Sequence, residues 1–368
     1  MSDILFFSRD PGAANCIIPV YKKVVEENDN TFDLYGKDFA LDKYRESGIK
    51  GKDILKEIGL VDRENIKKFL EGKSYKVLVL GSSFEDETER IMIEVAKDLN
   101  IKTISIIDNW MNYKKRYVRQ DIENAEPVYP DTICTMDEFS KQETIEEGVP
   151  DDVVRVTGQP YFETVALRNK DIDLNSIKQD KETLGVNDEK LIVFASESIK
   201  SAPKIEEELG YNQGDILKAF LETVVELDKK HKDQKLKILV RPHPRDDIDL
   251  LQKTINNLDF PANIDVFLSD ELNSQEIISA ADLVVGMSSM FLLESILFHK
   301  PIMSIQIGLK KRDPFFLSRF GRVESVLNKE ELESQVENMV FKSEYHPIEI
   351  DIVKGASDKI ISIIKEHL

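Results

Sequence analysis

Two cysteines in 368 residues, Cys16 and Cys134, are too few and too far apart for a disulfide framework, and no Cys-x-x-Cys pair offers a zinc knuckle. That usage fits a reducing cytoplasm. Histidine is as sparse: His231, His243, His299, His346 and His367 form no His-x-x-x-His ligand pair, so the chemistry has to be sought without a metal or a resident cofactor. Positive charge is also short, with 50 Lys and Arg against 69 Asp and Glu, a formal net charge of −19. This balance excludes a general nucleic-acid coat, which needs excess Lys and Arg, and means that any anionic ligand must be met by local groups. Nowhere do about 18 apolar residues run without a charge, so an integral membrane protein is excluded. The apolar start, Met1 to Phe7, meets Arg9 and Asp10 too soon for a signal peptide. Gly-x-x-x-x-Gly-Lys-Ser/Thr and Gly-x-Gly-x-x-Gly are both absent, and Gly-Met-Ser-Ser-Met around Ser288 lacks the second glycine of a hydrolase elbow. Asp-x-Asp at Asp171 and at Asp247 is expected by chance in so acidic a chain.

Apolar residues make up 41% and charged residues 32%, the balance of a folded globular protein, and the length predicts two to three domains. Short runs of Val, Ile, Leu and Phe alternate with longer helical patterns. In the first half DILFFS (3–8), KVLVLGSS (76–83), KTISIID (102–108), DTICT (131–135) and VVRVTG (153–158) read as strands covered on both faces, as in a parallel sheet. KLIVFAS (190–196), KLKILV (235–240), IDVFL (264–268), DLVVG (282–286) and PIMSI (301–305) repeat the pattern in the second half. No short repeat period accompanies it, which excludes a solenoid. The expected class is α/β, with two Rossmann-like doubly wound domains facing a cleft. We expect a first domain over 1–166, a polar linker over 167–189, a second domain over 190–345, and a last helix within 346–368 packing back on the first domain.

Two stretches carry most of the chemistry. In VVGMSSMFLLESILFHKP (284–301) a strand ends at Gly286, and Ser288 and Ser289 stand at the start of an apolar helix, where hydroxyls, unpaired N–H groups and the positive helix end suit a phosphate. Glu294, almost two turns on, would reach ribose hydroxyls. Equally, Ser288 is read as a plain N-cap and Glu294 as a paired, partly buried acid. In KLKILVRPHPRDD (235–247) a strand ends in Arg241, His243 and Arg245, held by two prolines, so two guanidiniums and an imidazole crowd one rigid turn. LKKRDPFFLSRFGR (309–322) sets Lys310, Lys311, Arg312, Arg319 and Arg322 against a single acid, Asp313, a local reversal of sign suited to an anion. Of Phe315 and Phe316 within it, at least one is expected in the core.

In order and spacing, strand-Arg-Pro-His-Pro followed some 40 residues later by strand-Gly-x-Ser-Ser-helix-Glu resembles the nucleotide-binding half of GT-B glycosyltransferases and their relatives. The resemblance is strongest to bacterial capsule and sialyl- or polysialyltransferases, CDP-glycerol glycerophosphotransferases, and non-hydrolysing UDP-N-acetylglucosamine 2-epimerases. VTGQPYFE (156–163) is similar to the epimerases' segment closing the first domain. The resemblance implies that His243, Ser288 and Ser289 contact a donor's phosphates and that Glu294 holds its ribose, with Arg241, Arg245, Gly286, Lys311 and Arg312 completing the donor side. The first half departs from the epimerase pattern: Gly81-Ser82 stands where that family has Gly-Asp, and Asp108 where it has Glu.

For a transfer, a base must take the acceptor's proton. Asp10 and Asp108, each just after a strand, are the leading choices, with His243 as a third catalytic candidate and Glu85, Asp86 and Glu87 behind them; each acid is equally suited to a helix N-cap or first turn. Asn15, Ser83, Trp110 and Tyr113 are assigned to the acceptor side, the last two because DNWMNYKKRY (108–117) joins the only Trp to two Tyr beside three bases, and aromatics stack on sugars or fill interfaces. The expected activity is transfer of a glycosyl group from a nucleotide-activated sugar to a glycan or lipid-linked acceptor. It would serve surface polysaccharide synthesis, in the cytoplasm or at the inner face of the membrane. Alternatives are a nucleotide-sugar 2-epimerase or hydrolase, a CDP-alditol phosphotransferase, and a non-catalytic sugar-nucleotide-binding protein.

Overall fold

The computed structural model describes residues 2–27, 31–84, 86–169, 174–232, 234–269, 272–346, 348, 350 and 352–368. The chain divides into two units, Met1–Thr164 with Asp351–Leu368, and Val165–Ile350.

Unit 1 carries a seven-stranded sheet built from β1 (Ile4–Ser8), β2 (Phe32–Gly36), β3 (Lys52–Asp53), β4 (Val77–Leu80), β5 (Lys102–Ile106), β6 (Thr132–Thr135) and β7 (Val154–Val156), in the spatial order β3-β2-β1-β4-β5-β6-β7. Every neighbouring pair is parallel. The central strands β1 and β4 are buried along their whole length, which is why they read as unbroken apolar runs. β2 and β3 escape that reading. FDLYG mixes an acid and a glycine into a strand only partly buried, and Lys52–Asp53 is polar and two residues long.

Unit 2 has five parallel strands, β8 (Lys190–Ala195), β9 (Leu236–Arg241), β10 (Ile264–Leu268), β11 (Leu283–Gly286) and β12 (Ile302–Ser304), in the order β10-β9-β8-β11-β12. Each sheet is α/β and doubly wound. The chain starts in the middle of each sheet, runs outward one way, then returns to continue on the other side. The reversal lies between β1 and β4 in unit 1 and between β8 and β11 in unit 2. Outside the carboxyl ends of the strands, such a switch point leaves a crevice where ligands bind.

The segment expected as a linker, 167–189, contains the helix Leu174–Thr183, which packs in unit 2 against the helix Ser274–Ala280. It is held by polar contacts rather than an apolar stripe: Lys181 pairs with Asp282 at 3.0 Å and Ser279 donates to Asp180 at 2.7 Å, so its composition read as a junction. The last helix, Ala356–Glu366, lies on the helix Pro11–Glu27 of unit 1 and buries Ile360, Ile361, Ile363 and Ile364. Its entry is fixed by Glu163, whose carboxylate accepts from the backbone N–H of Gly355 and Ala356 at 2.6 and 3.0 Å. Gly158 makes room for the same junction: it has φ +93°, and a Cβ there would stand 2.6 Å from the carbonyl of Val353.

Candidate functional site: two strand-end crevices

In unit 2 the switch point brings the loop after β8 against the start of the helix Met290–Leu297. Gly286 ends β11 where a Cβ would lie 3.1 Å from the Ala195 carbonyl, so glycine lets the two strands end side by side. Ser289, not Ser288, caps the helix, its hydroxyl accepting from the N–H of Phe291 at 3.2 Å. Ser288 is thereby left to bond across to the loop after β8. Its N–H and hydroxyl both donate to the carboxylate of Glu197, at 2.5 and 3.0 Å, and the N–H groups of Met287 and Ser289 bear on the same carboxylate. Burial pushes the Glu197 pKa up, these donors pull it down, and the net direction is up. The helix start is an anion cradle with an anion in it.

Beside it, β9 ends in Arg241, whose guanidinium donates to Ser274 at 3.0 Å and lies 4.7 Å from the centre of the Phe291 ring. The turn after it is fixed from within. His243 accepts the Arg245 N–H on Nδ1 at 3.1 Å, which puts the proton of the neutral ring on Nε2, and its own N–H donates to Asp246 at 3.1 Å. Asp246 is held in turn by Gln213 at 2.6 Å. Glu294 is buried on the helix Met290–Leu297, while Arg245 is exposed and accepts on its carbonyl from Ser201. The basic loop is less of a unit than its sequence suggests. Lys311 pairs with Glu208, Arg312 is exposed, Arg319 donates to the Asp313 and Pro314 carbonyls, and Phe315 and Phe316 are both buried.

Unit 1 gathers acids at its own switch point. After β1, Asp10 pairs with Arg9 at 2.8 Å, and Arg9 also holds Asp38 at 2.9 Å. After β5, Asp108 pairs with Arg116 at 2.8 Å, and its other oxygen would be 2.3 Å from a Cβ on Gly12. Glycine in the first turn of the helix Pro11–Glu27 thus lets that carboxylate sit against the positive helix end. Arg116 is buried and ties three segments together, donating to Ser82 through its carbonyl and hydroxyl at 2.6 and 2.8 Å, to Asp108, and to Asn109 at 2.6 Å. Ser83 donates to Glu89 at 2.8 Å. Glu89 is 3% exposed, and its second carboxylate oxygen is buried without a hydrogen-bond partner. Burial first, then the charges of Asp10 and Asp86, pushes its pKa up from 4.5 to about 7.

The remaining residues picked out in the sequence are placed as follows. Asn15 is half-buried on the helix Pro11–Glu27, Asp86 pairs with Lys37 at 2.5 Å, and Glu87 pairs with Arg90 at 2.9 Å. Trp110 is 6% exposed, stacked on Phe162 with ring centres 5.6 Å apart, and its indole donates to Asp137 at 2.8 Å. Tyr113 is 1% exposed and donates to Glu143 at 3.1 Å. Both rings are core residues here. Glu85 and Asp171 lie outside the described residues. Among the described residues no group of three His, Cys, Asp or Glu side chains could hold a metal ion, and no helix is long and apolar enough to cross a membrane.

Three site residues are not apparent from sequence reasoning. Glu197 stands two residues beyond the end of β8, the same spacing that Asp10 has after β1 and Asp108 after β5. Glu89 shares one helix face with Met92, Ile93 and Ala96, an acid on an apolar stripe. Arg116 is hidden in the run Lys114-Lys115-Arg116, which reads as a solvated patch.

No protein-family model matches the chain, and none of the curated proteins compared with it matches its sequence. Solved structures match it along its whole length. The UDP-GlcNAc 2-epimerase of Neisseria meningitidis, bound to UDP-GlcNAc, is 15% identical over 99% of both chains with a TM-score of 0.67. That of Methanocaldococcus jannaschii, in complex with UDP-GlcNAc and UDP, is 15% identical over 99% of both chains at 0.65. Anabaena HepE, in complex with UDP and glucose, is 11% identical over 100% of both chains at 0.63. With two parallel, doubly wound sheets and these neighbours, the chain has the two-domain Rossmann-like GT-B fold.

Proposed function

We propose that the chain is a nucleotide-sugar enzyme that binds the diphosphate of a UDP-sugar at the β8/β11 edge of unit 2 and acts on that sugar without a separate acceptor. The observation that carries the reading is the cradle at Ser288, which already holds an oxyanion, the Glu197 carboxylate, on backbone N–H groups and a hydroxyl. The Nε2–H of His243 and the guanidinium of Arg241 would meet the charge that develops on phosphate when a sugar–phosphate bond breaks. In unit 1, Asp108, positioned by Arg116, is the group best suited to take a proton from the sugar. Glu89, whose pKa burial pushes up to about 7, is a carboxyl able both to hold and to give a proton near neutral pH.

Glycosyl transfer, the activity first expected, would need an acceptor platform, and the aromatics assigned to it, Trp110 and Tyr113, are buried in the core of unit 1. Incubation of UDP-GlcNAc with the protein in D2O, with no acceptor present, separates the two readings by proton NMR. Deuterium uptake into the sugar, an epimer, or free sugar with UDP is expected. Turnover that appears only when a glycan or lipid-linked acceptor is added would overturn the donor-only reading in favour of transfer.

A further inference from the structure

Glu197 brings to the start of the helix Met290–Leu297 the same sign of charge that a phosphate would bring. It leaves β8 at the switch point of unit 2, 91 residues away from Ser288 in sequence, and clasps that residue at two points, one oxygen on the N–H and the other on the hydroxyl. The N–H groups of Met287 and Ser289 bear on it as well. A backbone N–H offers one hydrogen, and a hydroxyl also has a single hydrogen to give. A phosphate seated on the same donors therefore excludes the carboxylate, and the two anions would also repel each other across a short distance. The side chain is partly buried, Ile199 beyond it is buried, and Lys200 and Ser201, three and four positions on, are exposed.

We propose that Glu197 is an intramolecular occupant of the phosphate cradle, which a nucleotide diphosphate must displace in order to bind. The proposal rests on the nucleotide reading given above and adds a selector to it. A diphosphate carries enough oxygens to replace a two-point clasp, whereas a nucleoside without phosphate cannot evict the carboxylate and gains nothing from its departure. The apparent affinity of the resting protein for UDP is then its intrinsic affinity reduced by the fraction of molecules in which the cradle is open. Glu197 keeps the cradle satisfied when no ligand is there, and it tunes which ligands are admitted.

Isothermal titration of the full chain with UDP and with uridine tests this, using the natural sequence, Glu197→Gln and Glu197→Ala, each checked for an unchanged fold by circular dichroism. Glu197→Ala is expected to bind UDP about ten-fold or more tightly than the natural sequence. Glu197→Gln should fall between them, because its amide still accepts from the hydroxyl while the charge is gone. Uridine should bind all three alike. UDP affinity that is unchanged or weaker in Glu197→Ala, or a gain shared by uridine, overturns the occupant and leaves the nucleotide reading in place. Failure of UDP to bind any of the three overturns both.

Discussion

At the residue scale, two buried charged groups in unit 1 do opposite things. Arg116 is satisfied on all sides, by Ser82, Asp108, Asn109 and the Met111 carbonyl, so it acts as a bracket between the ends of β4 and β5. Replacing it with Met would leave the partly buried Asp108 unpaired beside an apolar chain, and the loss expected in chemical denaturation is roughly 3 kcal/mol. Glu89 is the reverse, a carboxyl made unfavourable by its site. Its folded pKa of about 7 lies above the ordinary 4.5, so between these values the folded protein binds more protons than the unfolded one. Its contribution is fully present below about pH 4.5 and is lost as the pH rises through about 7, a change of about 3 kcal/mol by the rule of 1.36 kcal/mol per unit. Glu89→Gln keeps the acceptor for Ser83 and removes the titration. Urea melts from pH 4.5 to 8 should show the variant gaining on the natural sequence as pH rises, and parallel curves would show that Glu89 is not shifted.

At the element scale, what positions the sites is the strand order, and that order was only partly legible. The fully buried strands declare themselves by unbroken Val, Ile, Leu and Phe. β3, the edge strand, and β2 beside it do not, because β3 covers only Tyr35 and Gly36 of β2, and this half-wet rim tolerates the Asp33 and Lys52 that form an ion pair across it at 2.6 Å. Strand ends at Asp10, Asp108, Gly286 and His243 could be read because Pro, Gly and charged residues punctuate a run where it leaves the sheet. What a strand end touches could not be read, since Glu197 meets Ser288 only through the non-sequential neighbours β8 and β11. The segment Val156–Glu163 illustrates the same limit. Its likeness to the epimerases' segment closing the first domain suggests a boundary, but does not show that Gly158 and Glu163 anchor the last helix. Gly158→Ala combines a positive φ with a close carbonyl. It should lower the melting temperature by several degrees, about the effect of 1–3 kcal/mol, while Gly59→Ala, also at positive φ (+72°) but with open space around it, should cost less.

At the scale of the whole molecule, a chain of net charge −19 has no general attraction for an anionic ligand, so binding has to come from a few well-aimed donors. Such a site should show in global stability, because a ligand that binds only the folded state raises its melting temperature with the logarithm of concentration. UDP at millimolar concentration is expected to raise the melting temperature, and His243→Ala and Ser288→Ala to reduce that rise without lowering the unliganded transition by a comparable amount. The proposed function puts the ligand's phosphates at one place, the start of the helix Met290–Leu297. The most direct measurement is a TROSY titration of deuterated, 15N-labelled protein with UDP. The amides of Met287, Ser288, Ser289 and His243 are expected to move furthest and saturate together, with Glu197 moving as its carboxylate leaves. Saturating UDP that leaves those amides in place while others shift would contradict that placement.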